Sequence, residues 1–278
     1  MNEVNPLSPG LSVSIVVYQP DMPVLASTLV SLCEAVAALR AERPDLAAHV
    51  YLIDNGGLPR RDVSSLWADC DCLSFSTISG HGNVGYGRGH NLVLDRLTHR
   101  YHLVLNPDID LRRDALIEAL NFLDAHADVG LLTPCIDDEN GGIQYLCRRY
   151  PTLFGLFLRG FAPSWLAKPF SRRLARYEMR DVINRDDVVW EPPIVSGCFM
   201  LFSTDVLRRL GGFDPRYFLY FEDYDLSLRA HSVARVAYVP QVRVVHHGGG
   251  AAKKGLTHVK LFVASAFKFF KRFGWRLA

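Results

Sequence analysis

The chain has 278 residues, 49% hydrophobic and 22% charged, an ordinary globular composition with ample length for a buried core. Its formal charge of +2 makes no case for nucleic acid as a partner. The N-terminal MNEVNPLSPG lacks the basic and apolar regions of a secretory signal, and no apolar run approaches the roughly 20 residues of a membrane-spanning helix.

LSVSIVVY (11–18) is a β-branched apolar run and reads as a buried strand. A helical pattern follows from Pro23 to Arg40. HVYLIDN (49–55) is a second strand with a polar end, and CLSFSTI (72–78) is a third. A glycine-rich loop then leads into a helix near Asn91 to Thr98. YHLVLNPD (101–108) is a fourth strand, again with a polar end. RRDALIEALNFLDAH (112–126) reads as a helix and VGLLTPCI (129–136) as a strand. Alternating strands and helices predict a mainly parallel sheet covered on both faces, with ligands beyond the carboxyl ends of its strands. Asp54, Asn55, Asn106 and Asp108 fall on that edge.

The second half is less regular. Residues 145–180 hold eight Arg or Lys against one Glu. IVSGCFMLF (194–202) reads as another buried strand, and RVAYVPQVRVVHHGGG (235–250) as strand material ending in two histidines. No internal repeat interrupts the chain, so the halves are expected to share one core. Six scattered cysteines (33, 70, 72, 135, 147, 198), with only a C-x-C pair close together, predict reduced thiols and a cytoplasmic protein.

Four stretches carry candidate chemistry. Gly80, Gly82 and Gly85 spell G-x-G-x-x-G between a strand and a helix, which admits a dinucleotide loop, a nucleotide-sugar loop or a merely structural one. In LNPDIDL (105–111), Asp108 and Asp110 can share a hard cation such as Mg2+ or Mn2+, or make a turn and cap a helix. His246 and His247 close a strand, where neighbouring side chains face opposite sides, so at most one is expected in a given site. LYFEDYDLSLR (219–229) packs Glu222, Asp223 and Asp225 into four positions. One or two of them can serve the helix N-terminus; the third invites a chemical role. No nucleophile elbow and no cysteine signature supports hydrolysis.

In this order, SIVVY, YLIDNGG, GNVGYGRGHN, LVLNPDIDL, VSGCFMLF, GGFDPRYFLYFEDYDLSLR and VVHHGGG resemble the inverting, nucleotide-sugar-dependent glycosyltransferases of the GT-A fold (glycosyltransferase family 2). The likeness runs from about Ser12 to Gly250 and is nearest to bacterial rhamnosyltransferases that build cell-surface polysaccharide. It implies an α/β, Rossmann-like fold over residues 1–250, with the nucleotide sugar held by 12–110 and the acceptor and catalytic base by 111–250. Residues 251–278 would add a C-terminal amphipathic helix. The family holds a divalent metal on the donor diphosphate with an Asp-x-Asp element. Here Asn106 takes the first position and Asp108 the second, so the metal would lean on Asp108, Asp110 and His246. The likeness sets Asp54 near the nucleobase, with Tyr18, Asn55, Gly85, Tyr86, Asn91 and Asn106 around the nucleotide. It makes Asp223 the base, with Glu222 or Asp225 orienting acceptor or base.

The expected donor is dTDP-L-rhamnose and the expected acceptor a lipid-linked or lipopolysaccharide-type glycan. Two other readings stay open: an NAD- or nucleotide-using enzyme built on the Gly80–Gly85 loop, and a catalytically silent sugar-nucleotide binding protein. HVKLFVASAFKFFKRFGWRL (258–277) sets lysines and arginines opposite valines and phenylalanines on a helical wheel. Such a helix suits an anionic membrane surface, hence a peripheral position on the inner face of the cell membrane, or else docks on the domain with a solvated charged face.

Overall fold

A computed structural model of the chain describes residues 7–59, 67, 70–160, 162–248 and 255–278. The first six residues, Gly249 and Gly250 of the HHGGG stretch, and residues 251–254 at the start of the C-terminal segment lie outside the described residues. In chain order the elements are β1 (Ser8–Val17), α1 (Met22–Glu42), β2 (Ala47–Asp54), β3 (Ser74–Ile78), α2 (Tyr86–Asn91), β4 (His99–Leu105), β5 (Ile109–Leu111), α3 (Ala115–Ala125) and β6 (Val129–Asp137). They continue with α4 (Leu153–Gly160), α5 (Ser164–Ala167), α6 (Ser171–Tyr177), β7 (Val189–Trp190), β8 (Phe199–Ser203), α7 (Thr204–Leu210), α8 (Glu222–Ala230), β9 (Arg235–His246) and α9 (Leu256–Phe273).

One sheet runs β3-β2-β1-β4-β8-β6-β9-β5, with β7 beside β9. Its first part, β3-β2-β1-β4, is wholly parallel, as the strand–helix alternation predicts. Beyond β4 the sheet is mixed: β8 runs antiparallel to β4 and β6, and β5 antiparallel to β9, while β6 and β9 are parallel. Alternation along β1 divides the core. Leu11, Val13, Ile15 and Val17 face one layer with α1 and α3, and Val16 faces the other with α7 and α8.

In α1, Leu25, Leu29, Leu32, Val36 and Leu39 recur at helical spacing and are buried, and Asp21 accepts the Val24 N–H at 3.3 Å as the cap. By length and composition α1 alone among the described helices could cross a membrane, contrary to the sequence expectation; here its apolar side forms one layer of the core.

On the other face of β1, Ser12 and Ser14 hydrogen-bond His102 at 2.8 and 2.9 Å, and Ser14 meets His90 at 2.7 Å. Burial drives His102 down to about 3 and His90 well below its ordinary value. Both rings are therefore neutral, and the network ties α2 to the strands beneath it.

Several boundaries move. The helix after the glycine loop begins at Tyr86, not Asn91, and a single 3-10 turn at Leu94–Arg96 replaces its second half. Strand β8 starts only at Phe199; Ile194 instead makes an isolated bridge to Arg148. The thiols are not all reduced: Cys33 and Cys70 form a disulfide, and Cys72 lies 3.8 and 3.6 Å from their sulfurs.

Helix α9 is no free appendage. Phe269 and Phe270 are 0% exposed and pack with Leu156, Tyr217 and Phe221. Burying two such rings contributes about 3–6 kcal/mol in all, which fixes the aromatic face inward.

Candidate active site

Strands β1, β2 and β4 end side by side, and the antiparallel register Leu105↔Phe199 brings the entry of β8 to the same edge. The turn Ser196–Cys198 there joins three segments. The Cys198 carbonyl accepts the Asn106 N–H at 2.9 Å, the Gly197 carbonyl accepts the Tyr86 hydroxyl at 2.6 Å, and the Gly197 N–H donates to Asp223 Oδ2 at 3.1 Å. A Cβ on Gly197 would press against Asp223 and the Tyr86 ring at 3.3 Å, closer than most side chains pack, so glycine eases this approach. Tyr86 and Cys198 both lie within electrostatic reach of Asp108 and Asp223. The loop after β4 and the start of α8 thus face one site.

Asp223 is partly exposed and accepts the Tyr224 N–H on its other oxygen at 2.9 Å. Burial raises its carboxyl above the ordinary range, and the Gly197 and Tyr224 N–H groups pull it back. Glu222 is 5% exposed, and its Oε2 has no partner. Burial, and then the charge of Asp223, push it up to about 8. Hydrogen bonds favour the ionised form they touch, so the Gly197 and Tyr224 N–H groups favour charge on Asp223, while burial favours the proton on Glu222.

Tyr220 and Phe221, just before α8, both adopt left-handed backbone, at φ 71° and 66°. Each such residue costs on the order of 1–3 kcal/mol and persists only where its surroundings hold it. Here α9 does so. The Tyr220 hydroxyl meets His258 at 2.9 Å, Ser265 donates to the Leu219 carbonyl at 2.8 Å, and the Phe221 ring packs on Phe262 and Phe269.

Across the site, Asp108 Oδ2 lies 3.5 Å from His246 Nε2. Burial works to raise the Asp108 carboxyl, but the His246 hydrogen bond and charge outweigh it and hold the group below its ordinary range. Asp108 Oδ1 and Asn106 Oδ1 are buried without partners. A Cβ on Gly248 would run into Asp108 Oδ2 and come within 2.7 Å of His246 Nε2. Orphaned acceptors beside a glycine cradle fit a hard cation, and two protein ligands suffice where substrate phosphates supply the rest.

Asp110 spends one oxygen elsewhere, although its Oδ1, like that of Asp108, is buried without a partner. Its Oδ2 accepts from Ser27 at 2.7 Å and meets His247 Nε2 at 2.8 Å. Hydrogen bonds from the His247 ring to Glu139 and Asp110 hold its pKa up. Among the described residues, the one three-donor group with metal-like spacing is Cys33, Cys70 and Cys72, where the Cys33–Cys70 disulfide leaves only the Cys72 thiol free.

Asp54 closes β2 by accepting the Gly56 N–H at 2.8 Å. Asn55 is buried and donates to the Gly85 carbonyl at 3.1 Å, with its Oδ1 unpartnered. Tyr18 is 54% exposed beside Gly56. Gly85 (φ 90°) could carry no side chain, because a Cβ would strike the Phe218 carbonyl; Gly80 and Gly82 meet nothing within 4 Å. These residues line an open shelf at the ends of β1 and β2.

Comparison with known proteins bears on this arrangement. No protein-family model matches the chain. It is 29% identical over 253 residues to N-acetylglucosaminyl-diphospho-decaprenol L-rhamnosyltransferase of Mycobacterium tuberculosis, covering 85% of this chain and 76% of that protein. It is 29% identical over 184 residues to rhamnosyltransferase WbbL of Escherichia coli, covering 61% of this chain and 63% of WbbL. Among solved structures, the mannosyltransferase PcManGT of Pyrobaculum calidifontis, in complex with GDP-Man and Mn2+, superposes with a TM-score of 0.60 at 18% identity, over 97% of this chain and 68% of that one. The chain is a GT-A-fold glycosyltransferase.

Three residues of the glycosyltransferase do other work than the sequence suggests. Asp225, expected among the catalytic acids, is 0% exposed and locked by Arg229 at 2.5 Å and Arg272 of α9 at 2.7 Å. Asn91, expected at the nucleotide, spends its amide on the backbone of Phe213, donating at 2.7 Å and accepting at 2.9 Å. Tyr86, also expected there, turns its hydroxyl to Gly197 and is a strut for the Ser196–Cys198 turn. Gly197, Gly248 and Arg148 were missed. Arg148 is buried, and its positive charge favours the ionised form of Asp223; the basic run at 145–180 was its only signal.

The Glu222 shift gives the glycosyltransferase a pH signature. Folded, Glu222 holds its proton up to about 8; unfolded, it releases it near its ordinary 4.5. The folded state therefore binds more protons in that window, and its stability falls as pH rises through it. Melting the parent and Glu222→Gln at pH 5, 7 and 9 should show the parent losing ground to the variant towards alkaline pH. Parallel pH curves would remove the shift.

Proposed function

We propose that the chain transfers L-rhamnose from dTDP-L-rhamnose, with inversion, to a hydroxyl of a lipid-linked glycan at the inner membrane surface. The observation that carries the chemistry is Asp223, held by the Gly197 and Tyr224 N–H groups beside the buried, unpartnered Glu222, at the same Ser196–Cys198 turn whose Cys198 carbonyl anchors the Asn106–Asp108 loop. The rhamnosyl choice is supported by the two relatives named for that sugar.

In this reading Asp223 accepts the proton of the acceptor hydroxyl as its oxygen attacks the anomeric carbon and the nucleoside diphosphate leaves. Gly197 and Tyr224 hold the carboxylate in place, and Glu222 lends a neutral wall that keeps the base from being oversolvated. Asp54, Asn55 and Tyr18 receive the nucleoside. Asp108, His246 and Asn106 would hold Mg2+ or Mn2+, which stabilises negative charge on the departing diphosphate. Asp110 supports from behind through His247.

A screen of nucleotide sugars, with NAD included, tests the donor: dTDP-L-rhamnose should bind tightest and turn over. The dinucleotide alternative has less geometric support, since α2, the helix that would face the pyrophosphate, is only six residues long. NAD binding in place of dTDP-rhamnose would revive it. Tight binding of dTDP-rhamnose with no turnover on any glycan would favour the silent binding protein. Asp108→Ala should weaken donor binding in Mn2+ by about 10-fold or more, removing a charged ligand at 1.5–3 kcal/mol, with little change in EDTA. Equal donor affinity for parent and variant in Mn2+ would count against the metal role.

Membrane attachment rests on what α9 leaves outside. Val263 and Phe267 are more than half exposed, with Trp275 and Leu277 nearby and Lys260 and Lys271 among them. Arg272 is not available, being paired with Asp214 and Asp225. Phe267→Asp should reduce sedimentation with anionic vesicles several-fold, and salt should weaken what remains. Vesicle binding indifferent to both would sink the idea.

A further inference from the structure

We propose that a cleft between α4, α6 and residues 276–278 binds the diphosphate of an amphiphilic acceptor, beside the catalytic acids. The inference rests on the lipid-linked reading above and names the part of that acceptor the protein grips. The cleft encloses about 500 Å3 and is lined by Arg149, Arg173, Arg176 and Arg276, with Tyr150 and Tyr177, and no acidic side chain lines it among the described residues.

Arg149 is already neutralised by a two-point pair with Asp181, at 2.7 and 2.8 Å. The other three guanidinium groups make no ion pair among the described residues, although Arg176 acts on Asp181 at a distance. Arg173 reaches Thr152 Oγ1 at 3.3 Å and lies over the Phe154 ring. Arg276 sits over the Tyr150 ring at 4.1 Å. Arg176 has a hydrogen-bonding role only through its carbonyl. Like charges converging on a concave surface raise the local potential and favour an anion. Arginine forks match the paired oxygens of a phosphate.

Two further observations say which anion. Tyr177, in the wall, shares a 2.7 Å hydrogen bond with Tyr224, the neighbour of Asp223. Arg148 lies over the Tyr177 ring and within electrostatic reach of Asp223. The cleft is therefore one tyrosine pair away from the base. On α4, the neighbouring α5 and the C-terminal stretch, Phe157, Trp165, Trp275 and Leu277 are exposed, by 49 to 73%. A ligand that is sugar at the base, anionic in the cleft and apolar beyond it matches this sequence of surfaces: a glycan on a lipid diphosphate. Phospholipid headgroups and free pyrophosphate share the phosphate chemistry, and the test separates them.

Binding is measured on the full chain in EDTA, so that no metal at Asp108 can capture a diphosphate. The probes are farnesyl diphosphate, inorganic pyrophosphate, and phosphatidylcholine vesicles with and without phosphatidylglycerol. Farnesyl diphosphate should bind the parent better than pyrophosphate does, and Arg176→Gln with Arg276→Gln should weaken it about 10- to 100-fold, the scale for losing charged hydrogen bonds. The same pair should raise KM for a lipid-diphosphate acceptor. If the double variant melts early, Arg176→Gln alone carries the test, since its side chain makes no hydrogen bond among the described residues and reaches only Asp181, which keeps its two-point pair with Arg149. Equal farnesyl diphosphate binding by parent and variants overturns the proposal. So does equal affinity for pyrophosphate, which would mean a bare anion site, or loss of anionic-vesicle binding with farnesyl diphosphate binding intact, which would mean a headgroup site. Should the parent glycosylate no lipid-linked acceptor yet bind farnesyl diphosphate through these arginines, the functional reading fails and the cleft stands. Should turnover persist with KM unchanged in the variants, the cleft fails and the function stands.

Discussion

Asp223→Asn is expected to lower sugar transfer by about 10²–10⁴-fold, the scale for losing a general base, with donor affinity retained. Asn keeps the size and one carbonyl-type oxygen, so the Gly197 or Tyr224 N–H that holds Asp223 can still be satisfied. What vanishes is the capacity to take a proton. In the proposed reading the donor is held elsewhere, by the residues at the ends of β1 and β2 and by Asp108. Were these acids mere helix-terminus residues, the same change would cost about 1 kcal/mol of stability or less and leave transfer nearly intact. Melting temperature and transfer rate should therefore be read on the same preparation. Full activity in Asp223→Asn would pass the base role to Glu222, whose raised carboxyl is the next candidate.

Asp225→Ala should behave in the opposite way, as a stability lesion of about 3–5 kcal/mol. Its carboxylate is fully buried between Arg229 and Arg272, and removing it strands charge in a low-dielectric place. Arg229 keeps the carbonyls of Leu210 and Gly212, and Arg272 keeps Asp214. Those contacts satisfy hydrogen bonds without restoring neutrality. For a chain of this length the loss corresponds to a fall in Tm of roughly 10 °C, readable by calorimetry. An unshifted Tm would show that the α8–α9 lock is not made by this ion pair.

The contrast between two acids two residues apart shows what the sequence could reveal. The strands β1, β2 and β4, with polar residues at their carboxyl ends, were legible because apolar runs and a local period decide them. The acidic start of α8 and the Asn106–Asp108 edge were legible for the same reason. The assignment of Asp225 was not, because its partner Arg272 lies 47 residues on. Asn91 likewise meets Phe213, 122 residues away, and no local pattern announces that. Strand β5 has three residues and exists through its pairing with Val244, Val245 and His246. IVSGCFMLF looked like one strand because its apolar content is continuous; the turn at Gly197 is imposed by contacts with Tyr86 and Asp223 that only the assembled fold supplies. The glycine loop misled in the same way, since the G-x-G-x-x-G spacing says nothing about which glycine meets backbone, and only Gly85 of the three does.

The clamp of α9 on the residues before α8 bears on when, during its making, the protein becomes an enzyme. A chain emerging from the ribosome can assemble its parallel strands and nucleotide shelf early, since they occupy the first part of the sequence. Leu219, Tyr220 and Phe221 cannot be held in their unfavourable geometry until Phe262, Ser265 and Phe269 have been synthesised and folded back. Nascent or C-terminally clipped chains would thus occupy donor without spending it, and transfer would report that the polypeptide is whole.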